Sequence, residues 1–193
     1  MNEVEAVLAL KDCINKPAVC KIGFTKQGYD EFFFVLSVSD ELFLCVCEKD
    51  FALDGYTVRR VKDVKSVEAI RGTYLRIHQS EGNLNRLAMP PMEISDWKNV
   101  MRSALASGVN VIIEGNAPQS EERYFFVGKV LAVGEQGFKF RAFDGGGNWS
   151  EKAVTIPYTS LTALTFGSSY VTTYSKYVKP YPEIVAQKPI INR

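Results

Sequence analysis

The chain has 193 residues, with 23 basic and 22 acidic side chains, a net charge of +1 and a single histidine. That length suits one ordinary domain or two small ones, and 46% hydrophobic with 23% charged residues is a globular composition that argues against general disorder. Near-neutrality excludes the strongly basic class of nucleic-acid proteins, and one histidine excludes a histidine-built metal cluster.

No stretch reaches the ~18–20 apolar residues of a membrane-crossing helix, so no membrane partner is expected. Glu3 and Glu5 occupy the place where a secretory signal carries positive charge, which predicts a cytoplasmic protein.

In chain order, the first predicted element is a helix with Val4, Val7, Leu8 and Lys11 on one stripe, capped by Asn2 and ended by Pro17. Strands follow at 18–24, 31–39, 42–48 and 56–61, separated by the turns Gln27-Gly28, Ser39-Asp40-Glu41 and Asp54-Gly55. Glu81-Gly82-Asn83 and Pro90-Pro91 then break the periodicity, marking a linker over 81–94.

The pattern then restarts. Ser95 caps a helix whose stripe is Trp97, Val100, Met101, Ala104 and Leu105, with Gly108 as its stop. Strands are expected at 109–115, 123–133, 138–143 and 153–156. Both halves close alike, with Val61 to Val67 matching Ile156 to Leu164, followed by Gly72-Thr73-Tyr74 in one and Gly167-Ser168-Ser169-Tyr170 in the other. The predicted fold is mainly β: two tandem, small, bent five-stranded antiparallel barrels, each preceded by an α-helix. They cover 1–80 and 95–175, and 176–193 form a Pro-rich extended tail. Val67 should lie over Leu164 and Tyr74 near Tyr170. The competing architecture is one larger two-sheet sandwich, which has no reason to restart with a helix.

Each half resembles an Sm-like domain, the fold of Sm and LSm proteins and their bacterial RNA-chaperone relatives. The leading helix, the long second strand with its glycine (Phe125-Phe126-Val127-Gly128-Lys129-Val130) and the strand-turn-strand close at 154–164 carry the resemblance. It implies association through edge strands four and five into rings, with two fused units halving the number of chains per ring. The family's nucleotide-binding residues match only at Lys62. Gly134-Glu135-Gln136 replace the expected Asp and Asn, Asp40 has no Asn after it, and Tyr158-Thr159 stand at the lysine–histidine position. Ile70-Arg71-Gly72 looks like the closing Arg-Gly signature but falls several residues past it.

Two functions follow as expectations. The first is a non-enzymatic binding or assembly module, self-associating as a homo-oligomer or joining a protein partner through strand edges and tail. The alternative is weak RNA or single-stranded nucleic-acid binding, without duplex DNA. Its candidate contacts are Arg59, Arg60, Lys62 and Arg71, in a stretch where these residues with Lys65 and Arg76 face only Asp63 and Glu68. Cys45 and Cys47 read as small apolar filler. Asp144-Gly145-Gly146-Gly147-Asn148-Trp149 lacks the Lys-Ser/Thr of a phosphate loop and reads as a hairpin tip with Trp149 as a contact residue. His78, placed at a strand end, has no triad partner in the sequence. No cofactor, metal or catalytic residue is expected. Among the surplus aromatics, Trp97 and some of Phe32, Phe34, Tyr124 and Phe126 are expected at or beside the contact between the barrels.

Overall fold

The computed structural model describes residues 1–25, 29–117 and 122–181. The Gln27-Gly28 turn and most of the tail, with Ile184, Val185, Ile190 and Ile191, lie outside the described residues.

Helix α1 (Glu3–Asn15) starts at the expected cap. The Asn2 side chain accepts from the Glu5 N–H at 2.9 Å while the Glu5 carboxylate accepts from the Asn2 N–H at 2.9 Å. Its buried residues are Ala6, Leu10 and Cys13; of the expected stripe Val7 packs beside them, while Val4 and Leu8 face water. The small Ala6 lets the helix approach the sheet along a line that the bulkier Val4 and Leu8 do not follow.

Strands β1 (Val19–Phe24), β2 (Asp30–Val38), β3 (Leu42–Lys49), β4 (Ala52–Arg60) and β5 (Val64–Ile70) come next, with a short 3-10 turn at Val61–Asp63. Helix α2 (Thr73–Ser80) closes the first half. Helix α3 (Trp97–Ser107) opens the second, capped by Asp96, whose carboxylate accepts from the Asn99 N–H at 2.7 Å, and stopped by Gly108 at φ 65°. Ser95, the expected cap, accepts instead from the Asn99 side chain. Then follow β6 (Val111–Asn116), β7 (Arg123–Val133), β8 (Gly137–Phe143), β9 (Val154–Pro157), a 3-10 turn at Tyr158–Ser160, β10 (Leu161–Phe166) and helix α4 (Ser169–Tyr177). Two helices, α2 and α4, were not expected. His78 belongs to α2 and not to a strand end, and the tail begins as helix through Tyr177.

All ten strands form one open antiparallel sheet in the order β5-β1-β2-β3-β4-β10-β6-β7-β8-β9. Within it each half repeats one permutation: last strand, first, second, third, fourth. β5 begins at Val64 and β10 at Leu161, 97 positions later, so Val67 and Leu164 are equivalent. The irregularities repeat as well. Leu36 is skipped between β2 and β3, and Leu131 between β7 and β8. Lys65 is skipped against β1, and Thr162 against β6. Tyr74 and Tyr170 both lie in the first turn of the closing helix.

The strand alternation gives each half two packed faces. Phe33 packs with α1 residues Ala6 and Leu10, whereas Phe34 packs with Leu75 of α2. In the second half Ile113 and Phe140 pack with α3, and Ile112 and Phe143 pack with Val171 of α4. The halves share one cluster: Trp97, Val100 and Met101 of α3 pack with Leu42, Leu44 and Val58 of the first half. Trp97 and Tyr124 therefore belong to the contact as expected. Phe32 and Phe34 do not, because their parity on β2 turns them toward α2, and Phe126 stacks on Tyr124 while remaining exposed.

Candidate functional site

The four basic residues proposed as contacts do not form one surface. Arg59 points into the first half, 9% exposed, with its guanidinium 4.6 Å from the centre of the Phe24 ring and 2.8 Å from the Glu31 carboxylate. Burial pushes the Glu31 carboxyl up, against the pull of Arg59, and Glu114 adds to the rise. Arg60 is held by Asp63 at 2.6 Å. Arg71 lies across the sheet at the end of α1, 2.9 Å from Asp12 and 3.1 Å from the Lys16 carbonyl. It is the first cause, Lys16 the second, of an Asp12 carboxyl held below its usual range. Of the four, only Lys62 is exposed and makes no ion pair with the described residues. It shares with Glu3, Glu41, Arg60, Trp97 and Tyr158 a cleft of about 310 Å³ beside the 3-10 turns at Val61–Asp63 and Tyr158–Ser160. Short range in sequence did not become proximity in space, because successive residues of a strand point to opposite faces.

The two strand edges are a second candidate. β5 and β9 each pair on one side only. Lys65 and Glu68 lie exposed on β5, with Glu68 3.8 Å from Lys21, and Val154 on β9 is 48% exposed. Inside the chain the equivalent edges meet: β4 pairs with β10 through Arg59↔Ala163, Val58↔Leu164, Thr57↔Thr165 and Tyr56↔Phe166. The Thr57 and Thr165 hydroxyls bond at 3.1 Å across this seam.

A buried polar cluster around His78 was not legible from the sequence. The ring is fully buried against Phe34, Phe51 and Tyr74. The Asn83 amide nitrogen lies 3.0 Å from His78 Nδ1 and donates to the Phe51 carbonyl at 2.8 Å. An amide nitrogen can only donate, so Nδ1 accepts and the ring proton sits on Nε2, 3.5 Å from Glu48 Oε1. That carboxylate accepts the Phe51 N–H at 2.6 Å and the Tyr74 hydroxyl at 3.0 Å. Burial, then the bond to Glu48, pushes the Tyr74 phenol up to about 12. The cluster holds the β3–β4 hairpin, where Asp50 and Phe51 adopt φ of 51° and 66°, against α2. With the imidazole sealed from water, the cluster acts as a latch between hairpin and helix.

Cys45 is buried and Cys47 nearly so. Burial pushes both thiols up, that of Cys47 to about 12, which suits their reading as apolar filler. Cys13 and Cys20 are paired as a disulfide joining α1 to β1, a link the cysteine spacing did not suggest. Among the described residues no three His, Cys, Asp or Glu side chains are grouped to hold a metal ion, and no helix is long and apolar enough to cross a membrane.

Comparison of the chain with protein-family models, curated proteins and solved structures gave no match.

Proposed function

We propose that the chain is a non-enzymatic assembly module built of two tandem Sm-like barrels, which joins further copies of itself edge to edge. The observation that carries this reading is the seam between β4 and β10. Shifting that seam by the 97-residue repeat maps β4 onto β9 and β10 onto β5, the two edges left open. The same transformation gives the register of the outer seam: Ser66 opposite Ile156, Val67 opposite Thr155, Glu68 opposite Val154. An unpaired edge is a template for such pairing, and a heterologous contact of this kind closes into a ring when its rotation permits.

Directly opposed residues of an antiparallel pair have Cα atoms about 4.5–5.5 Å apart, a separation that a disulfide spans. Mixing Val67→Cys chains with Thr155→Cys chains under mild oxidation should give a cross-linked heterodimer, while neither variant alone does so. Light scattering should show the unmodified chain as an oligomer at micromolar concentration. A strict monomer, or cross-linking with no preference for this pair, overturns the reading.

The cleft shared by Lys62, Arg60 and Tyr158 supports a second reading, single-stranded nucleic-acid binding, with a free cation beside an aromatic ring. Binding carried by phosphate contacts weakens steeply as salt rises. Absence of binding to homopolymer RNA at low salt removes it.

A further inference from the structure

The end of the described chain lies in a seat that has the chemistry of a peptide-recognition groove. After α4 the backbone leaves in extended form, with Val178 at φ −66° and ψ 140°, close to polyproline II. The Trp149 indole N–H donates to the Lys179 carbonyl at 2.8 Å, and the Lys179 N–H donates to the Gly147 carbonyl at 3.0 Å. One donor and one acceptor on the hairpin tip thus clamp a single residue of an extended strand, and Pro180, which has no N–H, asks for nothing further. Beyond it the Tyr181 ring meets Trp149 edge-on at 4.8 Å and lies 5.4 Å from the Arg141 guanidinium and 5.9 Å from the Lys129 ammonium.

Two details show that the seat is shaped for an occupant. Lys129 and Arg141 face each other directly across β7 and β8, a like-charge pair that destabilises a sheet unless something relieves it, as the Ser150 and Glu151 carbonyls do in part by accepting from the Arg141 guanidinium. The face of an aromatic ring does so. Gly147, at φ 72°, has its missing Cβ position 3.1 Å from the Tyr177 carbonyl and 3.3 Å from the Val178 Cα, so a side chain there would be strained and would crowd the backbone laid against the tip. Besides the clamp, the segment is held among the described residues by Val178, packed beside Phe143 and Val171, and by the Lys179 ammonium, which donates to the Asn148 side chain.

We propose that this tip and the β7–β8 face beside it form a binding groove for extended, proline-containing peptides with an aromatic residue after the proline, which residues 178–181 occupy in cis as a built-in competitor. The main-chain clamp is spaced for the N–H and C=O that flank one Cα of an extended residue, which favours a peptide over a nucleobase, whose donors and acceptors are fixed in a rigid ring. Aromatic-lined grooves that take polyproline II segments use such pairings of an indole N–H with a peptide carbonyl. The groove is separate from the strand edges and from Lys62.

The test is fluorescence anisotropy with a labelled peptide copying residues 174–183. It should bind Tyr181→Ala chains at least tenfold more tightly than unmodified or Tyr181→Phe chains, in which the seat remains filled. Adding Lys129→Ala, a surface change that leaves the core intact, should reverse most of the gain, and Trp149→Phe, which removes the indole donor, should do the same. Equal affinity for unmodified and Tyr181→Ala chains overturns the proposal. So does equal binding of a peptide with alanine in place of its prolines and tyrosines, or capture by Tyr181→Ala chains of a labelled homopolymer oligonucleotide in preference to the peptide.

Discussion

Arg59 and Glu31 form an ion pair at 2.8 Å inside the first half, and the guanidinium at the same time covers the Phe24 ring. Removing one partner of a buried pair leaves the other charge uncompensated, at a cost of about 3–5 kcal/mol, whereas replacing both with apolar groups is often near neutral. Glu31 keeps some contact with water, so the lower end applies. Arg59→Met should destabilise the chain by about 3 kcal/mol in urea unfolding, and Arg59→Met with Glu31→Leu by clearly less.

The same carboxyl has a pH signature. Its folded-state pKa is raised by burial, so the fold binds a proton there more readily than the unfolded chain does. Stability linked to this group is therefore full below the ordinary glutamate range and is lost as pH rises through the raised value. Relative to Glu31→Gln, the unmodified chain should gain stability as pH falls from 7 toward 4. A constant difference across that window removes the assignment.

Tyr74 and Glu48 give a spectroscopic test of the latch. Tyr74 should titrate near 12 by absorbance at 295 nm, a step that Tyr74→Phe removes, and the latch should weaken as pH rises through that value. Tyr74→Phe should cost about 1 kcal/mol, the net worth of a typical hydrogen bond. Glu48→Ala should cost more, about 3 kcal/mol, because it also orphans the Phe51 N–H.

Trp97 belongs to the cluster that both halves share, so its loss should be felt by the whole chain. Trp97→Ala should cost about 3–5 kcal/mol in a single unfolding transition. Truncation after Pro90 uncovers Leu42, Leu44 and Val58, and the fragment should aggregate. A soluble, sharply melting fragment 1–90 would mean that the halves are independent.

Gly128 lies where β7 crosses β8, and an added Cβ would collide with the Arg141 carbonyl. Gly128→Ala should therefore disrupt this strand pair and cost about 3 kcal/mol or more, measured by thermal unfolding.

The sequence was informative where structure is local. The α3 stripe of Trp97, Val100, Met101 and Ala104 with its Gly108 stop, the long β7 and the restart after the linker all follow from periodicity within a dozen residues. Helix α2 was missed because Thr73–Ser80 is short and its buried side chains are only Leu75 and His78, so its order depends on Phe34, far away on β2. The basic stripe dissolved for a related reason: the acids that hold Arg59 and Arg71 are Glu31 and Asp12, nearer the N-terminus. The β4–β10 seam joins strands about a hundred residues apart, and no local signal announces it.

Because that seam lies within one chain, mass action cannot reach it. In an assembly of the proposed kind, every second junction would be indifferent to dilution, and only the alternate ones would open as concentration falls. Disassembly would stop at a pair of unlike units and never yield a single one. Any partner resting on the face of a closed ring would meet two alternating surfaces, so the rotational symmetry available to it would be half the number of folded units.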